Sequence, residues 1–541
     1  MNALTGSATL TRLALRRDRF TLPAWLLALA GFAAATSAAF VSQYRNPAAD
    51  LVQDTRLMAT SPGMRMLGLA SGPSVGGYAM LRDFLLLAVL AALMSMFAMV
   101  RHTRQSEETG RAELVGAAVV GRHAGLAAAL TVTMAANAVL AVLLGLGMIA
   151  AGLPVAGSFA AGAAVASVGV AFTGIVAVTT QLTSSTRGAS GLAAAVLGIA
   201  FLASGVGNMA GHVDPSGLRV TSAWPAWLSP IGWAQQMRPF GGDHWWPAGL
   251  SVALFLAGTG AAALLAARRD FGHGLLAQRP GHARASRALR SSLGLAWRLQ
   301  RGALLGWAAG LLGFGLILGG VIGQVRDMTG ATRDWYTQLG GSDQILDAYC
   351  AAMMQMAGMA AAIYAVQVLL RMRTEEADGP LEPVLATAVS RPRWSAGHAV
   401  SAVLGATALL LLFATGMGLA AAGVLGDPAG RVRTLVGAGL VQLPGILVIG
   451  AVVIAAVGLL PRFASAVSWA VLMASILIGP LFGPTLKLPQ WAQDLSPFTH
   501  IPKAPAVPVT AAPVLALIAV AAALTLTGLV SLRHRDVALP A

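Results

Sequence analysis

Long apolar runs dominate this chain and leave its backbone few options. Twelve lie near 20–41, 79–100, 124–152, 157–182, 189–208 and 247–267, then 302–324, 349–370, 397–425, 434–460, 464–486 and 512–532. Each reaches the ~20 residues a helix needs to cross the hydrocarbon core of a bilayer. A backbone in lipid must satisfy its own hydrogen bonds, so runs of this length are expected to be helices. The short alternating segments of a transmembrane barrel do not dominate. A hydrophobic fraction of 56% with only 11% charged residues and a mean hydropathy of +0.72 agrees. The expected fold is an all-α polytopic membrane protein. Its first run reads as an uncleaved span rather than a signal peptide, because Arg45 and a polar loop follow without a small-residue cleavage site.

The net charge of +15 raises the question of nucleic acid, and its distribution answers it. With the N-terminus placed in the cytoplasm and sides alternating, one face carries 24 Lys+Arg and 10 Asp+Glu, the other 12 and 11. That bias is the positive-inside pattern; it supports twelve spans with both termini cytoplasmic, and membrane lipids rather than nucleic acid as the partner. A basic linker that includes Arg268, Arg269, Arg279, Arg284, Arg287 and Arg290 suits anionic headgroups. The single cysteine, Cys350, excludes an intrachain disulfide and a cysteine-based metal cluster, and reads as a buried, inert thiol.

The chain repeats itself. Glu107-Glu108-Thr109-Gly110-Arg111-Ala112-Glu113, running on to Arg122, has a counterpart in Glu375-Glu376-Ala377-Asp378-Gly379-Pro380-Leu381-Glu382, running on to Arg391; the second Glu pair lies 268 residues after the first. Leu13 through Trp25 aligns without gaps to Leu295 through Trp307, Arg187-Gly-Ala-Ser190 to Arg462-Phe-Ala-Ser465, Leu228-Ser229-Pro230 to Leu495-Ser496-Pro497, and Arg268-Arg269-Asp270 to His534-Arg535-Asp536. The order and topology agree, so the expectation is two parallel six-helix repeats, 1–278 and 279–541. Before each first span, near 5–19 and 287–300, lies a short basic amphipathic segment with arginines such as Arg12, Arg16 and Arg19 at helical spacing. Each is expected to lie on the cytoplasmic leaflet as an interfacial helix, an ordinary basic flank being the alternative.

Neither Lys487 nor Lys503 sits in a phosphate-binding loop, the histidines form no His-Glu-x-x-His pair, and Ser190 lacks the Gly-x-Ser-x-Gly frame. The chain is therefore expected to be no enzyme, with no metal or cofactor of its own. The acidic element is better read mechanically. Gly110 and Gly379 can end the preceding helix, and Pro380 suits a first helical turn. A carboxylate at Glu113 or Glu382 favours the positive end of a new helix. The product is a short cytoplasmic helix able to dock into a basic groove. A single copy would pass for a solvated loop; two at one topological position favour docking.

This element also carries a resemblance. Glu-Glu-Ala-Asp-Gly379-Pro-Leu-Glu382 running to Ser390-Arg391 resembles the Glu-x-Glu-x-Gly-Thr-Leu-Glu…Ser-Arg pattern of type-2 ABC-transporter permeases, and the first copy keeps Glu107, Glu108, Gly110, Glu113 and Arg122. The whole chain is similar to the actinobacterial fused permeases called exporters of polyketide antibiotics, as are its Leu-Ser-Pro segments and terminal Arg-Asp pairs. The resemblance implies a cytoplasmic coupling helix after the second span of each half. It assigns coupling to Glu107, Glu108, Gly110, Glu113, Glu375, Glu376, Gly379 and Glu382. It implies two copies of a separate ATP-binding subunit holding ATP and Mg, and a bacterial cytoplasmic membrane. The implied activity is efflux of hydrophobic or amphipathic compounds, antibiotics among them. Pro380, Pro383 and Asp378 depart from the first copy, so the halves are expected to grip their partners unequally.

The substrate path is weakly marked. The resemblance places it along the first, second and fifth spans of each half. Met94, Met96 and Met99, and Met353, Met354, Met356 and Met359, cluster on the second spans, with Phe84, Phe97 and Tyr364 beside them. Soft side chains suit a promiscuous cavity, though core packing competes with that use. Asn137, Gln355 and Gln367 are intramembrane polar groups for which interhelical hydrogen bonding competes. Trp224, Trp227, Trp233, Trp245, Trp246 and Trp491 mark outer loops, as interfacial anchors or on short re-entrant helices. By residues alone, a gradient-driven secondary transporter of twelve spans and a membrane enzyme for lipid-linked substrates stay open. The first would need intramembrane coupling acids, the second a cluster of catalytic side chains.

Overall fold

A computed structural model describes residues 2–44, 48–269, 272–276, 284, 286, 289, 291–325, 337, 340–341, 344–377, 379–480 and 488–535. Asp270, Asp378 and Asp536, with Arg279, Arg287, Arg290 and Lys487, lie outside them. The chain divides into two compact units, Met1–Pro280 and Gly281–Ala541.

The first unit begins with α1 (Ser7–Arg17), the expected basic amphipathic helix, followed by the span α2 (Thr21–Gln43). Pro23 has no N–H to continue a helix from Arg19, so α1 and α2 separate here. Short helices α3 (Ala48–Thr60) and α4 (Pro62–Leu67) lead into the span α5 (Val75–His102). After α6 (Arg104–Glu108) and α7 (Arg111–Gly116) come three spans, α8 (Ala124–Ala150), α9 (Val155–Leu182) and α10 (Thr186–Met209). A two-stranded ribbon, β1 (His212–Val213) with β2 (Val220–Thr221), a 3-10 turn at Trp224–Leu228 and α11 (Pro230–Gln236) precede the last span, α12 (Ala248–Arg268).

The second unit has α13 (Ser292–Gly320), α14 (Ile322–Val325), α15 (Ile345–Ala377), α16 (Leu381–Leu385) and α17 (Arg391–Leu425). Then follow α18 (Pro428–Leu440), α19 (Leu443–Leu459), α20 (Ala464–Ile478), α21 (Gln490–Gln493) and α22 (Ala511–His534). Among the described residues, 11 helices are long and apolar enough to cross a membrane, α18 and α19 counting as one path broken just before Pro444. The expected span at 464–486 is the shorter apolar helix Ala464–Ile478, and 481–487 lie outside the described residues. One expectation changes. The second unit has no separate interfacial helix over its described residues, because α13 runs unbroken from Ser292 through Gln300 into the membrane span. Where α2 has Pro23, the aligned position is Leu305, so nothing interrupts the helix.

Small residues let these helices close on one another. In the first unit a Cβ at Gly258 would fall 2.6 Å from the Gly174 carbonyl oxygen, and in the second a Cβ at Gly458 would fall 2.4 Å from that of Gly528. The fourth and sixth spans of each unit therefore cross backbone to backbone. In lipid, where burying a leucine gains little over exposing it to acyl chains, such contact is a main source of attraction.

Leu-Ser-Pro also acquires a reason. Ser229 and Ser496 are fully buried. Each hydroxyl donates to a carbonyl of the fifth span, Ala200 at 2.6 Å and Ser475 at 2.7 Å, while accepting from the amides of the helical turn it caps. The proline takes the first turn, where a missing N–H costs nothing. The tryptophan-rich stretch forms short helices, with α11 largely buried, while Trp224, Trp245 and Trp246 stay exposed.

Candidate functional site

The acidic elements follow the second spans, α5 and α15. In the first unit, Thr103 departs from helical geometry and ends α5, α6 carries the glutamates, and Gly110, at φ 71°, turns the chain into α7. In the second, α15 continues to Ala377 and Gly379, at φ 89°, leads into α16. Both glycines adopt the left-handed conformation that a side chain disfavours.

Glu107 faces inward. Arg104, whose side chain is fully buried, donates to it at 2.7 Å and to the Thr180 carbonyl at the end of α9. Arg269, just past α12, donates to both Glu107 oxygens, at 2.9 and 2.5 Å, and to Gln181 at 2.7 Å. One carboxylate thus gathers the ends of the second, fourth and sixth spans. Glu376 repeats the device, with both oxygens taken at 2.7 Å by Arg535 past α22, and Arg373 at 4.0 Å. Arg122 and Arg391 complete the match by donating to carbonyls at the ends of the sixth spans, Ala266 and Ala267 in one unit, Leu532 and the capping Arg535 in the other.

These contacts fix the internal register. Residues 107, 110, 113 and 122 correspond to 376, 379, 382 and 391, a spacing of 269, so the 268-residue offset of the two Glu pairs is one residue out of step. Glu107 is the counterpart of Glu376, and Glu375 that of Ser106. Glu375 is an additional buried carboxylate, held by Arg371 at 3.1 Å, the Trp394 indole N–H at 3.1 Å and His398 at 3.2 Å; Gln300 lies 2.9 Å from the other nitrogen of His398. In the first unit Ser106 instead accepts from Arg17. The two units thus differ internally at this position.

The exposed carboxylates are Glu108, Glu113 and Glu382. Glu108 accepts the Thr186 amide at 3.0 Å, joining α6 to the start of α10. Glu113 and Glu382 sit in the first turns of α7 and α16, and Leu114 beside Glu113 is 79% exposed.

Asp18 was not anticipated. It is buried between α1 and α2 and takes Arg101 at 2.5 Å and His102 at 2.6 Å from the end of α5. Burial opposes its ionisation, but the hydrogen bonds from His102 and Arg101 outweigh that and hold the carboxyl below its ordinary range. It is the one acid among four arginines in 12–19, and the Leu13-to-Trp25 alignment pairs it with Gln300, which likewise contacts a buried histidine. That pairing was the available signal.

Most of the proposed path residues are packed inside their own unit. Phe84, Met94 and Met353 belong to the cores. Asn137 donates to Ser95 and to the Thr133 carbonyl at 2.9 Å, and Gln355 to the Phe498 carbonyl at 3.3 Å. Phe97 is 45% exposed beside Trp25, Gln367 is exposed while accepting from Trp307 at 3.0 Å, and Met356 is half-buried. The repeated pair Trp25 and Trp307 thus lies against exposed residues of each second span.

The eleven long apolar helices among the described residues define the class as a multi-pass, all-α membrane protein. Residues 289–533 match the family model described as "Multidrug efflux system permease Rv1217c, C-terminal domain". The chain is 38% identical, over 99% of its length and 96% of the relative's, to the multidrug efflux system permease protein Rv1217c of Mycobacterium tuberculosis. It belongs to this permease family.

Proposed function

We propose that the chain is the membrane-spanning permease of an ATP-driven ABC exporter that expels hydrophobic or amphipathic compounds by alternating access. The observation that carries this reading is the duplicated short helix, α7 and α16. Each presents an exposed carboxylate in its first turn, and each follows a glutamate, Glu107 or Glu376, that is ion-paired to an arginine at the end of a sixth span. Glu113 and Glu382 would meet two copies of an ATP-binding subunit, which would hold ATP and Mg. Glu107 and Glu376 would transmit the displacement to the spans, since a carboxylate fixed between two helix ends passes on a push where a solvated loop would absorb it. Both termini would face the cytoplasm of a bacterial cell. The relative's name, a multidrug efflux system permease, supports efflux as the direction and a broad substrate range. Phe97, Met356 and Gln367, on accessible faces of the second spans, are the path residues the proposal retains.

Co-expression with the ATP-binding subunit encoded beside it tests the reading. The expected product is a complex of one permease with two subunits, with ATPase activity stimulated by hydrophobic drugs. Replacing both Glu113 and Glu382 by Ala should abolish that stimulation while Phe97→Ala changes only drug preference. Intact stimulation in the double variant would refute the docking assignment. Transport that persists without any ATP-binding subunit and collapses with the ion gradient would replace the reading with a secondary transporter.

A further inference from the structure

At the end of the first unit opposite Glu107, the chain between α11 and α12 is held in an unfavourable conformation. Arg238, Phe240 and Asp243 have φ of 48°, 61° and 50°, three left-handed side-chain-bearing residues within six positions. Such backbone persists only where surrounding contacts impose it, and it collects at binding sites. Here the contacts are identifiable. Asp243 accepts the Phe240 amide at 2.7 Å, the His244 amide bonds to the Met237 carbonyl at 2.7 Å, the Arg238 guanidinium donates to the Val220 carbonyl at 2.9 Å, and Ser74 donates to the Phe240 carbonyl at 3.3 Å. The result seats the Phe240 ring against the first turns of α5 and α9. A Cβ at Gly76 or Gly157 would lie 2.5 or 2.2 Å from that ring, so both positions must be glycine for the ring to sit there.

Beside the ring lies a cavity of about 550 Å³, bordered by Tyr44, Phe240, Ser74, Pro154, Ala156 and Asp243. Its size is that of a site for a drug-sized molecule. Among the described residues no cationic side chain comes within ion-pair distance of Asp243. The Tyr44 hydroxyl donates to Asp54 at 2.5 Å, which enriches the phenol ring in electron density, and the ring packs edge-on against Tyr78. A carboxylate without a cationic partner and two aromatic side chains, one of them an electron-enriched phenol, bordering one partly apolar cavity are the elements that bind an organic cation.

We infer that this cavity is a binding site for amphipathic organic cations, with Asp243 facing the charge and Tyr44 and Phe240 facing the apolar body. The inference deepens the export reading by naming a substrate class for one end of the path, and it is tested on the permease alone, so it can fail independently of coupling to ATP.

The experiment measures binding to the purified full-length permease in dodecyl maltoside micelles by fluorescence, with the cation rhodamine 6G and the neutral dye Nile red. Asp243→Asn keeps an acceptor for the Phe240 amide but removes the charge. It should weaken rhodamine 6G binding at least tenfold and change Nile red binding less than twofold. Ala156→Trp, which fills the cavity from the surface of α9, should remove binding of both dyes. Displacement of rhodamine 6G by short-chain phosphatidylethanolamine but not phosphatidylglycerol would identify a lipid amine headgroup as a natural occupant of the same chemistry; no displacement by either would leave transported compounds as the source. Rhodamine 6G binding within twofold of wild type in Asp243→Asn, or no binding of either dye to the wild type, overturns the inference.

Discussion

Removing Arg535 should destabilise the second unit more than removing both Arg535 and its partner. The Glu376 side chain is 1% exposed and Arg535 closes both of its oxygens at 2.7 Å, while Arg373 stands off at 4.0 Å. In Arg535→Gln the carboxylate would keep only that longer contact. Truncating one partner of a buried pair costs about 3 to 5 kcal/mol. Arg535 is 16% exposed and water can reach its place, so the lower end, ~3 kcal/mol, is expected here. Glu376→Gln/Arg535→Gln leaves two neutral amides able to bond each other and should cost ~1 kcal/mol or less, a coupling energy of at least ~2 kcal/mol between the sites. Unfolding in sodium dodecyl sulfate mixed micelles, followed by helical circular dichroism, measures Arg535→Gln, Glu376→Gln and the double variant. Additive effects, with coupling under ~0.5 kcal/mol, would show that the pair is solvated and that the staple joining the second and sixth spans is not structural.

Ser229→Ala and Ser496→Ala should each cost ~1 to 3 kcal/mol in the same assay, because a helix cap and a bond to a buried fifth-span carbonyl disappear together. Gly458→Leu should disrupt the crossing of α19 and α22 by several kcal/mol, read as loss of the monodisperse peak on size exclusion, since the new side chain meets backbone rather than a flexible neighbour. Asp18 gives a pH prediction. Its carboxyl titrates lower in the folded protein than unfolded, so its contribution is fully present above the ordinary carboxylate value near ~4 and is lost as pH falls through the folded value. The protection of amides 7–17 against hydrogen exchange, relative to the intrinsic rate at each pH, should therefore hold steady from pH 7 to pH 5 and fall below ~4, and Asp18→Asn should show the low protection at every pH. Protection of α1 that persists in Asp18→Asn would contradict the anchoring role.

The spans, the acidic elements and the matched segments were legible because each depends on local chemistry. Apolar length sets a crossing helix, Gly110 and Gly379 mark turns by their lack of a side chain, and Ser-Pro marks a helix start. What the glutamates touch was not legible. Glu107 and Glu375 occupy the first place of each Glu-Glu pair, yet Glu107 is equivalent to Glu376. The 269-residue spacing shared by Gly110/Gly379, Glu113/Glu382 and Arg122/Arg391 implies that register, but only the structure shows Arg269 and Arg535, each about 160 residues downstream, closing on one carboxylate apiece. An ion pair of that sequence separation leaves no trace in periodicity or spacing. Polar residues in the spans failed for a similar reason. Asn137 and Gln355 look the same in sequence whether they face a path or a neighbouring helix, and the structure puts both on internal partners while leaving Gln367 accessible. Likewise Asp243 was an ordinary loop acid until the strained turn placed it at a cavity. The sequence alone determined that this chain is helical, crosses a membrane many times and carries two related acidic elements, because bilayer thickness and backbone hydrogen bonding act on any stretch of chain by itself. The tertiary structure alone decided which acids are internal staples and which stay exposed, because burial and pairing depend on residues brought together from distant parts of the chain.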